Sequence, residues 1–168
     1  LLVDADLRRP RVHEALGIRN ERGLTTALVG EVRLVAVVQE IDIENLVVVT
    51  SGPLPPNPAE LLHAPGFHRF LEEVSSRYDR VIFDSPPLRA VTDAAVLAPQ
   101  CAGALLVVRA GVTTREEVNA AVRSLRDVKA NIVGAALNDL VPASNKRVQS
   151  HQAYYHYLRA SEDDTGGD

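Results

Sequence analysis

Methionine and tryptophan are both missing from the 168 residues, and cysteine occurs once. Without a methionine, Leu1 does not read as a translation start, and the chain reads as the later part of a longer one. A lone Cys101 excludes an internal disulfide. Set in an apolar stretch, it reads as a small buried hydrophobe in a reducing compartment. No apolar run approaches the roughly 18 residues of a membrane-spanning helix. The longest strong one, Ala102 to Val108, is strand-sized. The N-terminus does not read as a signal peptide, because an apolar triplet runs straight into acids. A dominant charge is lacking too: 18 Lys and Arg against 22 Asp and Glu leave −4, so charge makes no case for a nucleic-acid partner. What remains is 46% hydrophobic and 24% charged, a globular composition in a chain long enough to bury a core without staples.

Along the chain, short β-branched runs alternate with helical stretches. Leu1 to Val3 reads as a buried strand stopped by Asp4-Ala5-Asp6. A helix is predicted from Arg11 to Leu16, ended by Gly17, and short helices over Gly23 to Gly30 and Val32 to Gln39. Leu46 to Thr50 is a second strand. It leads into Ser51-Gly-Pro-Leu-Pro-Pro-Asn-Pro58, whose prolines force an ordered, extended loop. Helical pattern resumes at Ala59 to Leu62 and Phe67 to Ser76, and Tyr78 to Asp84 reads as a third strand. After it come a helix at Thr92 to Ala98, a strand at Ala102 to Arg109, a helix at Arg115 to Val128 and a strand from Asn131 to Asn138. Thr114 and Glu117 make a capping-box pattern before the last helix. Beyond about Leu140 the apolar periodicity stops, and the acidic end predicts a flexible tail.

Strands apolar on both faces, alternating with helices, predict an α/β fold with a mostly parallel sheet and helices on both faces. Ligands in such folds bind beyond the carboxyl ends of the strands. Here those ends carry Asp4 and Asp6, Asp84 and Asn138. Two carboxylates two residues apart at a strand end suit a hard cation and a proton acceptor, and Arg8 suits phosphate oxygens. A solvated turn would use the same residues. Val81-Ile82-Phe83-Asp84-Ser85-Pro86-Pro87 is an apolar strand delivering one acid, the arrangement in which an Asp holds Mg²⁺ beside nucleotide phosphates.

These segments carry a resemblance. LLVDADLRRP resembles the Walker A′ motif, and VIFDSPP the Walker B motif, of bacterial tyrosine kinases of the capsule and exopolysaccharide systems. SGPLPPNPAELL is similar to a loop-and-helix signature of that family. IVGAALN resembles the strand that ends in an adenine-contacting Asn across the deviant-Walker ATPases. The likeness spans residues 1–140 and returns in the tail, where Tyr154, Tyr155 and Tyr157 supply three of the chain's four tyrosines. Either Asp motif alone is shared with partition-type and septum-site ATPases.

The resemblance implies a three-layer P-loop NTPase fold of the deviant-Walker, MinD-like type over 1–140, followed by a flexible tyrosine-bearing tail over 141–168. It implies a protein-tyrosine autokinase using ATP and Mg²⁺ and phosphorylating Tyr154, Tyr155 and Tyr157 of neighbouring subunits. Asp4 and Asp84 are the implied metal holders, Asp6 the base or orienter of the incoming hydroxyl, and Arg8 a phosphate or subunit contact. Asn138 is the implied adenine contact; a strand-end turn would use the same residue. The implied partners are copies of the chain in a ring-like oligomer and a membrane-spanning chain-length regulator, fused or separate, at the inner face of the membrane. One departure is large: no G-x-x-x-x-G-K-S/T phosphate loop occurs, and neither lysine, Lys129 or Lys146, follows a glycine. The strand and loop that precede the Walker A′ segment in the family are therefore read as truncated, leaving these 168 residues inactive by themselves. The alternatives are a partition- or septum-type ATPase switch without kinase activity and a degenerate interaction protein.

Overall fold

The computed structural model describes residues 1–88 and 92–140. β1 (Leu2–Asp4) runs into the turn at Asp6, and α1 (Val12–Leu16) follows, closed by Gly17 in the left-handed conformation at φ 64°. α2 (Leu24–Leu28) starts at Gly23, where the Thr26 hydroxyl donates to the Gly23 carbonyl and accepts from its N–H. β2 (Val38–Glu40), β3 (Val47–Val49), α3 (Pro58–His63) and α4 (Pro65–Arg77) come next, both helices with a proline in the first turn, where a missing N–H costs nothing. β4 (Ile82–Asp84), α5 (Asp93–Leu97), β5 (Ala104–Arg109), α6 (Arg115–Asp127) and β6 (Ile132–Asn138) complete the order. The predicted capping box opens α6: the Thr114 hydroxyl accepts from the Glu117 N–H at 3.2 Å and the Glu117 carboxylate from the Thr114 N–H at 2.8 Å.

The fold is α/β with mostly parallel strands. One sheet has the order β2-β3-β1-β4; β1 is parallel to both its neighbours, and β2 is an antiparallel edge on β3. β5 and β6 form a second, parallel pair. Two expectations change. The segment 32–39 is a 3₁₀ turn at Leu34–Ala36 followed by strand β2 rather than a helix, because the open edge of β3 offers a ladder that β-branched Val38 enters opposite Val49. The strand predicted from Tyr78 is laddered only over Ile82–Asp84, because its partner β1 has just three residues to offer.

The core lies around the four-stranded sheet. Val3, Ala5, Leu7, Leu24, Val49, Leu62, Phe67 and Val74 have at most 1% exposure. Phe67 stacks on Phe70 with ring centroids 6.3 Å apart and meets Phe83 of β4 edge-on at 6.0 Å. The β5–β6 pair is not covered on both faces as expected among the described residues. Leu105, Val107, Val133 and Leu137 are each more than half exposed. Between the edges of β4 and β5, which find no strand partner among the described residues, runs a cleft of about 650 Å³, lined by Ile82, Phe83 and Asp84 on one side and Ala104, Leu105 and Leu106 on the other.

Candidate active site at the strand ends

Parallel pairing in register brings the two acid-bearing strands level: Asp4 closes β1 directly opposite Asp84, which closes β4. The Ala5 N–H donates to the Asp84 carbonyl at 2.7 Å and continues the ladder one residue further. The Asp4 side chain is fully buried and accepts backbone N–H bonds from Asp6 at 3.2 Å and Val12 at 3.1 Å. Burial nevertheless wins, raising the Asp4 carboxyl above the usual carboxylate range. The two backbone bonds pull it back, and the charges of Asp84 and Asp6 push it up further. Asp84 is raised as well, first by its partial desolvation and then by the charge of Asp6. Asp6 accepts from the N–H groups of Arg8 at 3.1 Å and Arg9 at 2.9 Å, which folds the segment into a turn.

Three carboxylates within electrostatic reach of one another need positive charge. Asp4 and Asp84 are the pair that could hold a hard divalent ion such as Mg²⁺, which takes one or two carboxylates and keeps several waters; a cluster of three or more metal-ligating side chains does not occur among the described residues. Arg8 pairs with a carboxylate of another element. Its Nε donates to Asp93 Oδ2 at 2.7 Å and its Nη2 to Asp93 Oδ1 at 3.0 Å, a two-bond fork. Asp93 was not singled out in the sequence. Its signal was a carboxylate in the otherwise apolar run Asp93-Ala-Ala-Val-Leu97, where a surface position would be the ordinary reading.

Asn138 ends β6, on the far side of β5 from β4, and its carbonyl accepts the Ala110 N–H at 2.8 Å. It is exposed, and the described contacts do not join it to the aspartates. Tyr154, Tyr155 and Tyr157 lie outside the described residues. Cys101 is a half-buried free thiol whose pKa is raised by burial, which keeps it protonated and inert.

The proline-rich segment is anchored beside this site, at the carboxyl end of β3. The Asn20 side chain accepts from the Gly52 N–H at 2.8 Å, and the Leu24 and Thr25 N–H groups donate to the carbonyls of Thr50 and Ser51. Gly52 has φ 78°, and Gly23 lies so close to the backbone of Thr50 and Gly52 that neither position has room for a Cβ.

No protein-family model matches the chain. It is 40% identical over 157 residues to tyrosine-protein kinase YwqD of Bacillus subtilis, covering 94% of this chain and 64% of that protein. It is 39% identical over 154 residues to tyrosine-protein kinase etk of Escherichia coli K12, covering 92% of this chain and 21% of that protein. The chain thus spans less than two thirds of either curated relative. Among solved structures, the VpsO kinase domain superposes with a TM-score of 0.79 at 33% identity, over 83% of this chain and 70% of that domain. The septum site-determining protein MinD of Pyrococcus horikoshii superposes at 0.61 with 20% identity, over 81% of this chain and 56% of that protein, a likeness of fold alone. Asp4, Asp6 and Asp84 thus meet at the strand ends of a fold that also matches tyrosine kinases in sequence, and the chain belongs to the bacterial tyrosine kinase family.

Proposed function

We propose that these residues form part of the catalytic domain of a protein-tyrosine autokinase. It moves the γ-phosphate of ATP to Tyr154, Tyr155 and Tyr157 of neighbouring subunits and so regulates capsule or exopolysaccharide synthesis and export. The observation that carries this reading is the register of Asp4 opposite Asp84, with Asp6 two residues beyond. Asp4 and Asp84 would hold Mg²⁺, which when bound neutralises charge on the phosphoryl oxygens. Asp6 lies on the turn just past the buried Asp4, where its carboxylate orients the incoming tyrosine hydroxyl and accepts its proton. Arg8 presents cationic donors to phosphate, and Asn138 contacts adenine. Phosphoryl transfer asks mostly for positioning and charge stabilisation, so this short set suffices once a phosphate-cradling loop joins it.

The cleft between β4 and β5 is where that loop and its strand belong: two strand edges unpaired among the described residues face it, and Asp84 lies among its lining residues. These 168 residues contain no phosphate-loop motif, and transfer depends on one. Transfer between subunits requires a homo-oligomer. The small fraction of the Escherichia coli relative that is covered fits a membrane-spanning regulator working with this domain at the inner face of the membrane. Among the described residues no helix is long and apolar enough to cross a membrane.

The test is phosphosite mass spectrometry on the complete protein, beside an Asp6→Asn version. Phosphate on the tail tyrosines that disappears in the variant supports the kinase. ATP hydrolysis with an unmodified tail refutes it in favour of the nucleotide-switched ATPase that the MinD-like fold also accommodates.

A further inference from the structure

Asp93 and Asp4 are the two fully buried ionisable side chains among the described residues, and only Asp4 has a role in the mechanism above. Burying a carboxylate is costly unless each oxygen finds a donor, and at Asp93 each does. Arg8 supplies both, Nε to Oδ2 and Nη2 to Oδ1, while its own side chain stays 40% exposed. A planar guanidinium has five N–H donors, so a fork of this kind leaves three on its outer edge. The charge of Asp6 acts on Arg8 together with that of Asp93, so the guanidinium lies in the field of the acidic cluster.

The placement in the fold adds to this. Asp93 opens α5, immediately after the segment that leaves Asp84. That segment is tied to the β1 turn at both ends, by the Ala5 N–H on the Asp84 carbonyl and by Arg8 on the Asp93 carboxylate. The β1 turn and the start of α5 are thereby held to each other through the Arg8–Asp93 pair, a clamp buried on its Asp93 side.

We propose that Asp93 is a positioning residue for phosphoryl transfer: it holds the Arg8 guanidinium in one orientation beside Asp6, so that the outer N–H donors meet the oxygens of the transferred phosphoryl group. This rests on the kinase reading and adds to it a residue that touches neither nucleotide nor tyrosine. Both carboxylate oxygens are required. Asn at 93 would turn an NH₂ toward a guanidinium N–H, and Glu would push the fork outward by one methylene.

The test uses the complete protein with its phosphate loop, measuring kcat and KM for MgATP in tail autophosphorylation. Asp93→Asn and Arg8→Lys are each expected to lower kcat by about 10- to 100-fold, with KM changed less than about threefold. The double variant should be no slower than the slower single one, because both changes break one unit. Wild-type kcat in Asp93→Asn, or losses that multiply in the double variant, would overturn the proposal. If Asp93→Asn does not fold, Asp93→Glu takes its place. A fall in kcat at unchanged KM and unchanged melting temperature supports the clamp, and wild-type kcat refutes it. A parent protein that hydrolyses ATP without phosphorylating its tail would sink the kinase reading alone. The clamp would then be judged by the same variants on the kcat of hydrolysis.

Discussion

Asp4 places a carboxylate where no water reaches it, and two backbone N–H bonds do not fully compensate. Its pKa is raised in the folded state, so the native chain holds a proton that the unfolded chain gives up. The contribution of Asp4 to stability without metal is therefore greatest below the ordinary carboxylate range. It falls as pH climbs from there through the raised value, and Asp84 contributes in the same direction. Asp4→Asn should weaken that dependence and raise the metal-free melting temperature at neutral pH, by roughly 2–4 °C for each 1 kcal/mol recovered. Calorimetry across mildly acidic to neutral pH checks it; a flat wild-type profile would contradict the buried charge. Mg²⁺ should reverse the order, stabilising the wild-type complete protein and leaving Asp4→Asn where it was. Asp4 and Asp84 were each legible as the acid of a strand-end motif, but their register was not. The Asp93 partner of Arg8 was not, because a salt bridge between residues 85 positions apart leaves no local pattern.

Elements show a similar division. Phe67 lies on α4, whose helical spacing was visible, and the structure adds that its ring is shared with β4 through Phe83. Phe67→Ala should cost about 3–5 kcal/mol of unfolding free energy in urea titration, since the ring is wholly buried and its neighbours belong to different elements. The capping box of α6 was readable from Thr114 and Glu117 alone, and losing it through Thr114→Ala should cost about 1 kcal/mol by the same measurement. The proline-rich loop read as rigid because of its prolines. In the structure, backbone contact between Gly23 and the Thr50–Gly52 segment holds it as well. Gly52→Ala, at φ 78° and against Thr25, should destabilise by more than about 1 kcal/mol, where an ordinary loop substitution would not. The segment 32–39 was misread because four of its eight residues are valines, compatible with either element, and the edge of β3 decided the outcome.

At the scale of the whole molecule the sheet is interrupted. Among the described residues β4 and β5 leave edges unpaired, with apolar Ile82, Leu105 and Val107 open to solvent, which is an arrangement that soluble proteins avoid. If the complete protein lays a strand in this cleft, the amides on the open edges of β4 and β5 should exchange slowly there and rapidly in the 168-residue chain. Hydrogen exchange followed by mass spectrometry reads this directly. Equal exchange in the two would place the phosphate loop elsewhere.

The sequence by itself determined the fold class, the order of most elements, the acids at the strand ends and the family resemblance. Each is written in short stretches, where β-branched runs, helix punctuation and a terminal Asp act within a few residues of one another. The tertiary structure alone decided that Asp4 faces Asp84 in register, that Arg8 is held by Asp93, that residues 38–40 pair as an edge strand, and that a cleft separates β4 from β5. Register, buried ion pairs and open edges depend on which distant segments meet, and packing settles that where local spacing cannot.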